Sequence, residues 1–158
     1  MIPTTQLIYN HDYAQRLYRG DEKFEDVWRR VIGLGADFEE IYDEYISHIL
    51  ESIEKYSGYA WEEYAEDSFP IYMIDQGKSL VHPLSLAVNE DPAEMLKDLV
   101  HQLVRRNMYF GFSSNELKQK CVQRVVNYVL RDTKQGQSFD AEDLDLNLTT
   151  IKEYLKTR

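Results

Sequence analysis

Apolar residues recur along this chain at two periods, and the change between them divides it into segments. Phe24, Val27, Trp28, Val31 and Ile32 fall at three- and four-residue steps, the spacing of one helix face. Gly33 and Gly35 end that stripe and predict a helix boundary. A longer stripe follows through Phe38, Ile41, Tyr42, Tyr45, Ile49, Leu50, Ile53 and Tyr56, with acidic residues at most other positions and a stop at Ser57-Gly58. Residues 1–20 mix Tyr, Asn, His and Arg without periodicity and read as an arm that drapes over the domain or fastens to a partner.

Beyond an acidic, aromatic connection at 61–67 the period changes. Residues 69–74 form a short β-prone run, and Asp75-Gln76-Gly77-Lys78 is a turn signal. Over 80–88 the even positions Leu80, His82, Leu84, Leu86 and Val88 alternate with smaller residues, as in a half-buried strand. Pro83 cannot donate to a ladder, which predicts an edge strand or a bulge. The two runs read as a hairpin or as neighbouring strands of a small sheet.

Asp91-Pro92-Ala93-Glu94 then opens a helix: Asp91 can cap it, Pro92 fits the first turn and Glu94 can close a capping box. This helix is expected to bury Met95, Leu96, Leu99, Val100, Leu103 and Val104 and to run to about Asn107, before Gly111 breaks the chain. Ser113 with Glu116 caps a further helix carrying Leu117, Cys121, Val122, Val125, Tyr128 and Val129. A polar loop at 133–138 leads to an acidic stretch and a short helix through Leu148, Ile151 and Leu155. The expected fold is α+β and predominantly helical: long N-terminal helices, a small sheet or hairpin, and two or three C-terminal helices. It forms a single domain over 1–158, with an arm at 1–20, a core at 21–138 and an acidic segment with a short helix at 139–158.

Composition narrows the function classes. With 43% hydrophobic and 29% charged residues the chain is globular, and its twelve Tyr and six Phe can fill a core while leaving hydroxyls at half-wet surfaces. A net charge of -10 argues against non-specific nucleic-acid binding. Arg105, Arg106, Lys118, Lys120, Arg124 and Arg131 cluster in sequence, and read either as an anion-binding patch or as solvated helix faces. The lone Cys121 excludes an internal disulfide, and its apolar spacing predicts a buried, inert thiol. Residues 1–20 hold no apolar core of the kind a secretion signal needs, and no run reaches transmembrane length. The expected compartment is the cytoplasm, with no membrane partner.

The candidate chemistry centres on Leu96-Lys97-Asp98-Leu99-Val100-His101-Gln102-Leu103-Val104-Arg105-Arg106-Asn107. The order helix, strand, edge strand, His-bearing helix, helix, together with this stretch, resembles the zincin metallopeptidases of the gluzincin type over roughly residues 69–130. In that family an edge strand lies antiparallel to a bound peptide, and the next helix presents HExxH. Positions i and i+4 share one helix face, so two imidazoles can grip one zinc ion while the Glu polarises its water. His101 matches the first ligand. Gln102 stands at the general base and cannot accept a proton at neutral pH, and Arg105 stands at the second ligand with a fixed positive charge. Downstream, where the family places a ligating Glu, the chain reads Val122-Gln123-Arg124-Val125-Val126-Asn127. What the resemblance implies is therefore a scaffold lacking an intact motif, with no metal, no cofactor and no catalysis.

Such a scaffold could still bind a peptide or protein partner through its cleft and, by strand addition, its edge strand. His101, Gln102 and Arg105 would be polar contacts on the cleft floor, with Arg105 suited to a carboxylate. His82, which shares the inward parity of its strand, is the fourth candidate contact. One alternative is an acidic interaction or inhibitory protein, a possible nucleic-acid mimic, using the negative residues of 39–54 and 62–67. Another is a hydrolase with an unconventional metal site drawn from His48, His82, His101 and carboxylates. The segment Asp143-Leu144-Asp145-Leu146-Asn147 lacks the turn glycine and closing Glu of a calcium loop, and there is no Gly-rich phosphate loop or GxSxG elbow.

Overall fold

The computed structural model of the chain describes residues 2–61, 68–108 and 116–133. Along them run β1 (Thr4–Ile8), α1 (His11–Leu17), α2 (Phe24–Ser57), β2 (Ser68–Ile74), β3 (Ser85–Ala87), α3 (Pro92–Met108) and α4 (Glu116–Asp132). The fold is α+β and predominantly helical, as the periodicity predicts. The Ser113 cap, the loop beyond Thr133, the 139–158 segment and most of the 61–67 connection lie outside the described residues.

The N-terminal segment is not an arm. β1 pairs in parallel with β2, Thr4 opposite Ser68 through Ile8 opposite Tyr72, and α1 follows at once, capped by Asn10, whose side chain accepts the Tyr13 N–H at 3.0 Å. Five residues that take up edge hydrogen bonds need no hydrophobic period of their own, which is why composition alone hides this strand.

The two stripes on either side of Gly33 and Gly35 belong to one helix of 34 residues. An interior glycine costs about 1 kcal/mol against alanine. That is outweighed because Val27 and Val31 before it, and Phe38 and Tyr42 after it, enter the same buried cluster. Gly35 also makes room for Tyr9, just after β1: a Cβ there would collide with its phenol, whose hydroxyl donates to Glu39 at 3.1 Å. The helix ends where predicted, at Gly58, which takes the left-handed conformation (φ +79°) and donates its N–H to Glu54.

The sheet has the order β1-β2-β3 and is parallel throughout, so β2 and β3 are neighbours and not a hairpin. A parallel return usually needs about a dozen residues or more. Here residues 75–84 suffice, because the chain folds back at Leu80 and turns sharply over 81–84 before entering β3. The strand is therefore shorter than the 80–88 alternation suggests. Its even positions do face the core, Leu84, Leu86 and Val88 packing with Phe69, Ile71 and Met73 against α2, α3 and α4. Ser85 and Ala87 are buried as well, because α1 covers the opposite face.

α3 starts as read. Asp91 Oδ1 accepts the Ala93 N–H at 2.9 Å, while the Asp91 N–H goes to Asn89 Oδ1 at 2.8 Å. Glu94 is consequently free of the capping box and lies 3.4 Å from Lys97. Met95, Leu96, Leu99, Val100, Leu103 and Val104 are all buried, as are Cys121, Val125 and Val129 of α4. Burial raises the Cys121 thiol pKa, in keeping with an inert side chain. Among the described residues no helix is long and apolar enough to cross a membrane.

Candidate functional site

A cleft of about 490 Å³ opens where the end of β3 (Ala87, Val88, Asn89), the turn Gln76-Gly77-Lys78-Ser79 and one face of α3 meet. The α3 face contributes Glu94, Met95, Asp98, His101, Gln102 and Arg105. Positions 94, 98, 101, 102 and 105 recur at three- and four-residue steps, so a single helix face presents them together. Three of the four residues singled out from the sequence thus line one cavity.

Each does something different there. His101 is half-buried, and its pKa is lowered by burial first and by the Arg105 charge second, against a smaller upward pull from Asp98. The imidazole is accordingly neutral at pH 7. Arg105 is exposed and forms no ion pair among the described residues. Gln102 is not an open contact. It is only 6% exposed and donates from Nε2 to Asp98 Oδ1 at 3.2 Å, which fixes the amide's orientation. Its Oε1 is buried without a hydrogen-bond partner among the described residues.

His82, the fourth candidate, is absent from the cleft. It sits exposed in the 81–84 turn, before a cis bond to Pro83, and its pKa is lowered by burial first and by Arg106 second. Its expected inward parity fails because the strand begins only at Ser85. Pro83 marks that turn and not a bulge within a ladder.

The residues that sequence reasoning missed are Lys78, Ser79 and Asp98. Ser79 Oγ donates to Asp98 Oδ2 and accepts the Ala87 N–H at 2.8 Å, tying the turn to α3 and to β3 at one atom. Asp98 could have been found from its spacing, three residues before His101 and four before Gln102. Lys78 and Ser79 could not, since only the fold brings the turn to α3.

The edge that strand addition would use is closed. In β3 the even residues bond to β2, and Ser85 and Ala87 point the other way. Ser85 both donates to and accepts from Leu80 at 2.9 Å, and the Ala87 N–H is taken by Ser79. The chain's own 79–80 segment thus takes up the Ser85 backbone and the Ala87 N–H on that side of β3.

Among the described residues no group of side chains fits zinc. No three His, Cys, Asp or Glu side chains converge in a metal-holding group among the described residues, so His48, His82 and His101 do not assemble the unconventional site left open by the sequence. His48 is exposed on α2 beside Ser52 at 3.5 Å. Among the described basic residues the surroundings differ. Arg124 is 1% exposed, Arg106 lies over the Phe69 ring at 4.9 Å and Arg131 over the Tyr128 ring at 4.7 Å. Comparison with known protein families, with curated proteins and with solved structures finds no match to this chain.

Proposed function

We propose that this chain is a non-catalytic, zincin-like binding protein that holds a peptide or protein partner in the cleft beside His101. The observation that carries this reading is Arg105: an exposed guanidinium with no ion pair among the described residues, beside an imidazole kept neutral, at the rim of a small-ligand-sized cavity. The zincin-like layout supports the scaffold part of the reading, and Gln102 and Arg105 in place of base and ligand support the non-catalytic part. The partner is engaged by cleft side chains, since the β3 edge is occupied by the chain itself.

The test is a peptide-array screen with the native protein and with Arg105→Ala, accompanied by elemental analysis of protein purified without added metal. Peptides bound by the native protein and lost by the variant are expected, with no stoichiometric zinc. Binding that ignores Arg105, or one zinc per chain, overturns the reading. A second reading, a negatively charged docking surface for a basic partner, is supported by Glu39, Glu40, Asp43, Glu44 and Glu51, all exposed on α2. It requires association that weakens steeply with salt and is indifferent to Arg105.

A further inference from the structure

The cleft's charges are unevenly committed. Of its acids, Asp98 has one oxygen taken by Ser79 and the other by Gln102, and Glu94 is drawn to Lys97 at 3.4 Å. Of its bases, Lys78 and Arg105 are both exposed, and neither forms an ion pair among the described residues. The oxygens of Asp98 are engaged by neutral donors and Glu94 is offset by Lys97, while the two exposed cations have no ion pair among the described residues, so an anion can reach them without displacing an existing pair. Arg105 offers a planar fork for bidentate contact and Lys78 a mobile point charge.

The shape of the site narrows the anion further. A volume of about 490 Å³ falls in the range of small-ligand pockets. The row of backbone groups that would receive an extended segment on β3 is closed at Ser85 and Ala87. A bound segment is therefore held by cleft side chains and not by strand pairing at Ser85 and Ala87, which favours a charged chain end over a paired strand. Resting on the binding role proposed above, the geometry points to the C-terminal carboxylate of a peptide as the group this cleft receives, with Arg105 as its principal contact and Lys78 as a second charge.

The experiment is a titration of the full, ¹⁵N-labelled chain with three pools of acetylated tetrapeptides: free-acid pools without Asp or Glu, the same pools amidated, and amidated pools carrying one internal Glu. The free-acid pool is expected to move the amide signals of Gly77, Ser79 and Asp98 and the Nε signal of Arg105. The amidated pool should bind roughly tenfold more weakly, and Arg105→Gln should abolish the difference, with Lys78→Gln reducing it. Equal binding of acid and amide overturns the carboxylate assignment while leaving the cleft as a binding site. An internal Glu that matches the free acid overturns the chain-end assignment. Absence of cleft shifts with every pool overturns both this inference and the binding role. Arg105 and Lys78 are exposed, so the variants should keep the native spectrum elsewhere, which the same data report.

Discussion

The two faces of the three-stranded sheet are held by different physics. On one face Phe69, Ile71, Met73, Leu84 and Leu86 join α2, α3 and α4 in one large apolar cluster. On the other, Ala14, Ile74 and Ala87 form a small cluster flanked by Tyr13, Phe24 and Trp28. Polar contacts surround that second cluster: Tyr13 hydroxyl with Ser85 Oγ at 2.8 Å, Arg30 with Asp75 at 2.9 Å, and His11 with Glu25 at 3.1 Å. His11 also stands edge-on to Phe24 and Trp28, with ring centroids 5.0 and 5.4 Å away. Apolar burial hardly responds to salt or pH, whereas hydrogen bonds and ion pairs near the surface do. The first face should set global stability, and the second should tune how firmly α1 and the start of α2 are fastened.

The largest effect should come from Leu99→Ala, which removes a fully buried side chain from the main cluster. A loss of about 2–5 kcal/mol is expected in urea unfolding. A loss within experimental error would mean that the first face does not dominate. Next comes Asp75→Asn, which breaks a bidentate contact from Arg30 at the end of β2. Because the Arg30 side chain is 31% exposed, a loss of about 1–2 kcal/mol is expected, shrinking at high salt. Salt-independence would show the pair to be mainly a packing contact. Tyr13→Phe should cost less, roughly 0.5–1 kcal/mol, because Ser85 Oγ keeps its bond to the Pro83 carbonyl at 2.8 Å. An effect as large as that of Leu99→Ala would erase the contrast between the faces.

The smallest effects should be in pH, and the two imidazoles should act with opposite sign. His11 has its pKa raised above 6.5, chiefly by the bond to Glu25. The folded state therefore holds the proton more tightly than the unfolded one. Its stabilisation is present in full below pH 6.5 and is lost as pH rises through the folded value. His101 has its pKa lowered below 6.5, chiefly by burial. Here the unfolded state takes the proton first, so stability is lost as pH falls below 6.5 towards the folded value. In urea-midpoint profiles, His11→Gln should flatten the decline on the alkaline side of 6.5 and His101→Gln the decline on the acid side. Parallel profiles for the two variants would contradict the assignment of charge states.

Much of α2, α3 and α4 was readable because a helix face repeats its own signal every turn, so a stripe such as Met95-Leu96-Leu99-Val100-Leu103-Val104 states both the element and its buried side. The same locality made His101 and Arg105 visible as one face, and would have included Asp98 had spacing been applied to acids as well. Gln102 lies on that face too, but only the depth at which α3 is sunk decides that its Nε2 goes to the neighbouring Asp98 carboxylate. The error at Gly33 and Gly35 has the same origin. A local helix penalty of about 1 kcal/mol per glycine is a weak signal against a core that both flanking stripes enter.

Sequence alone determined which stretches of α2, α3 and α4 are helical, which faces they bury, how α3 begins and which of its residues could share a cleft, since each depends on spacing within a few residues. The tertiary structure decided what depends on partners distant in the chain. It recruited β1 to the sheet, put α1 over Ser85 and Ala87, left His82 in a turn, and brought Lys78 and Ser79 to α3. It also closed the β3 edge with Leu80. A backbone hydrogen bond or an ion pair between remote residues leaves no periodic trace, and those are the contacts that shape the cleft beside Arg105.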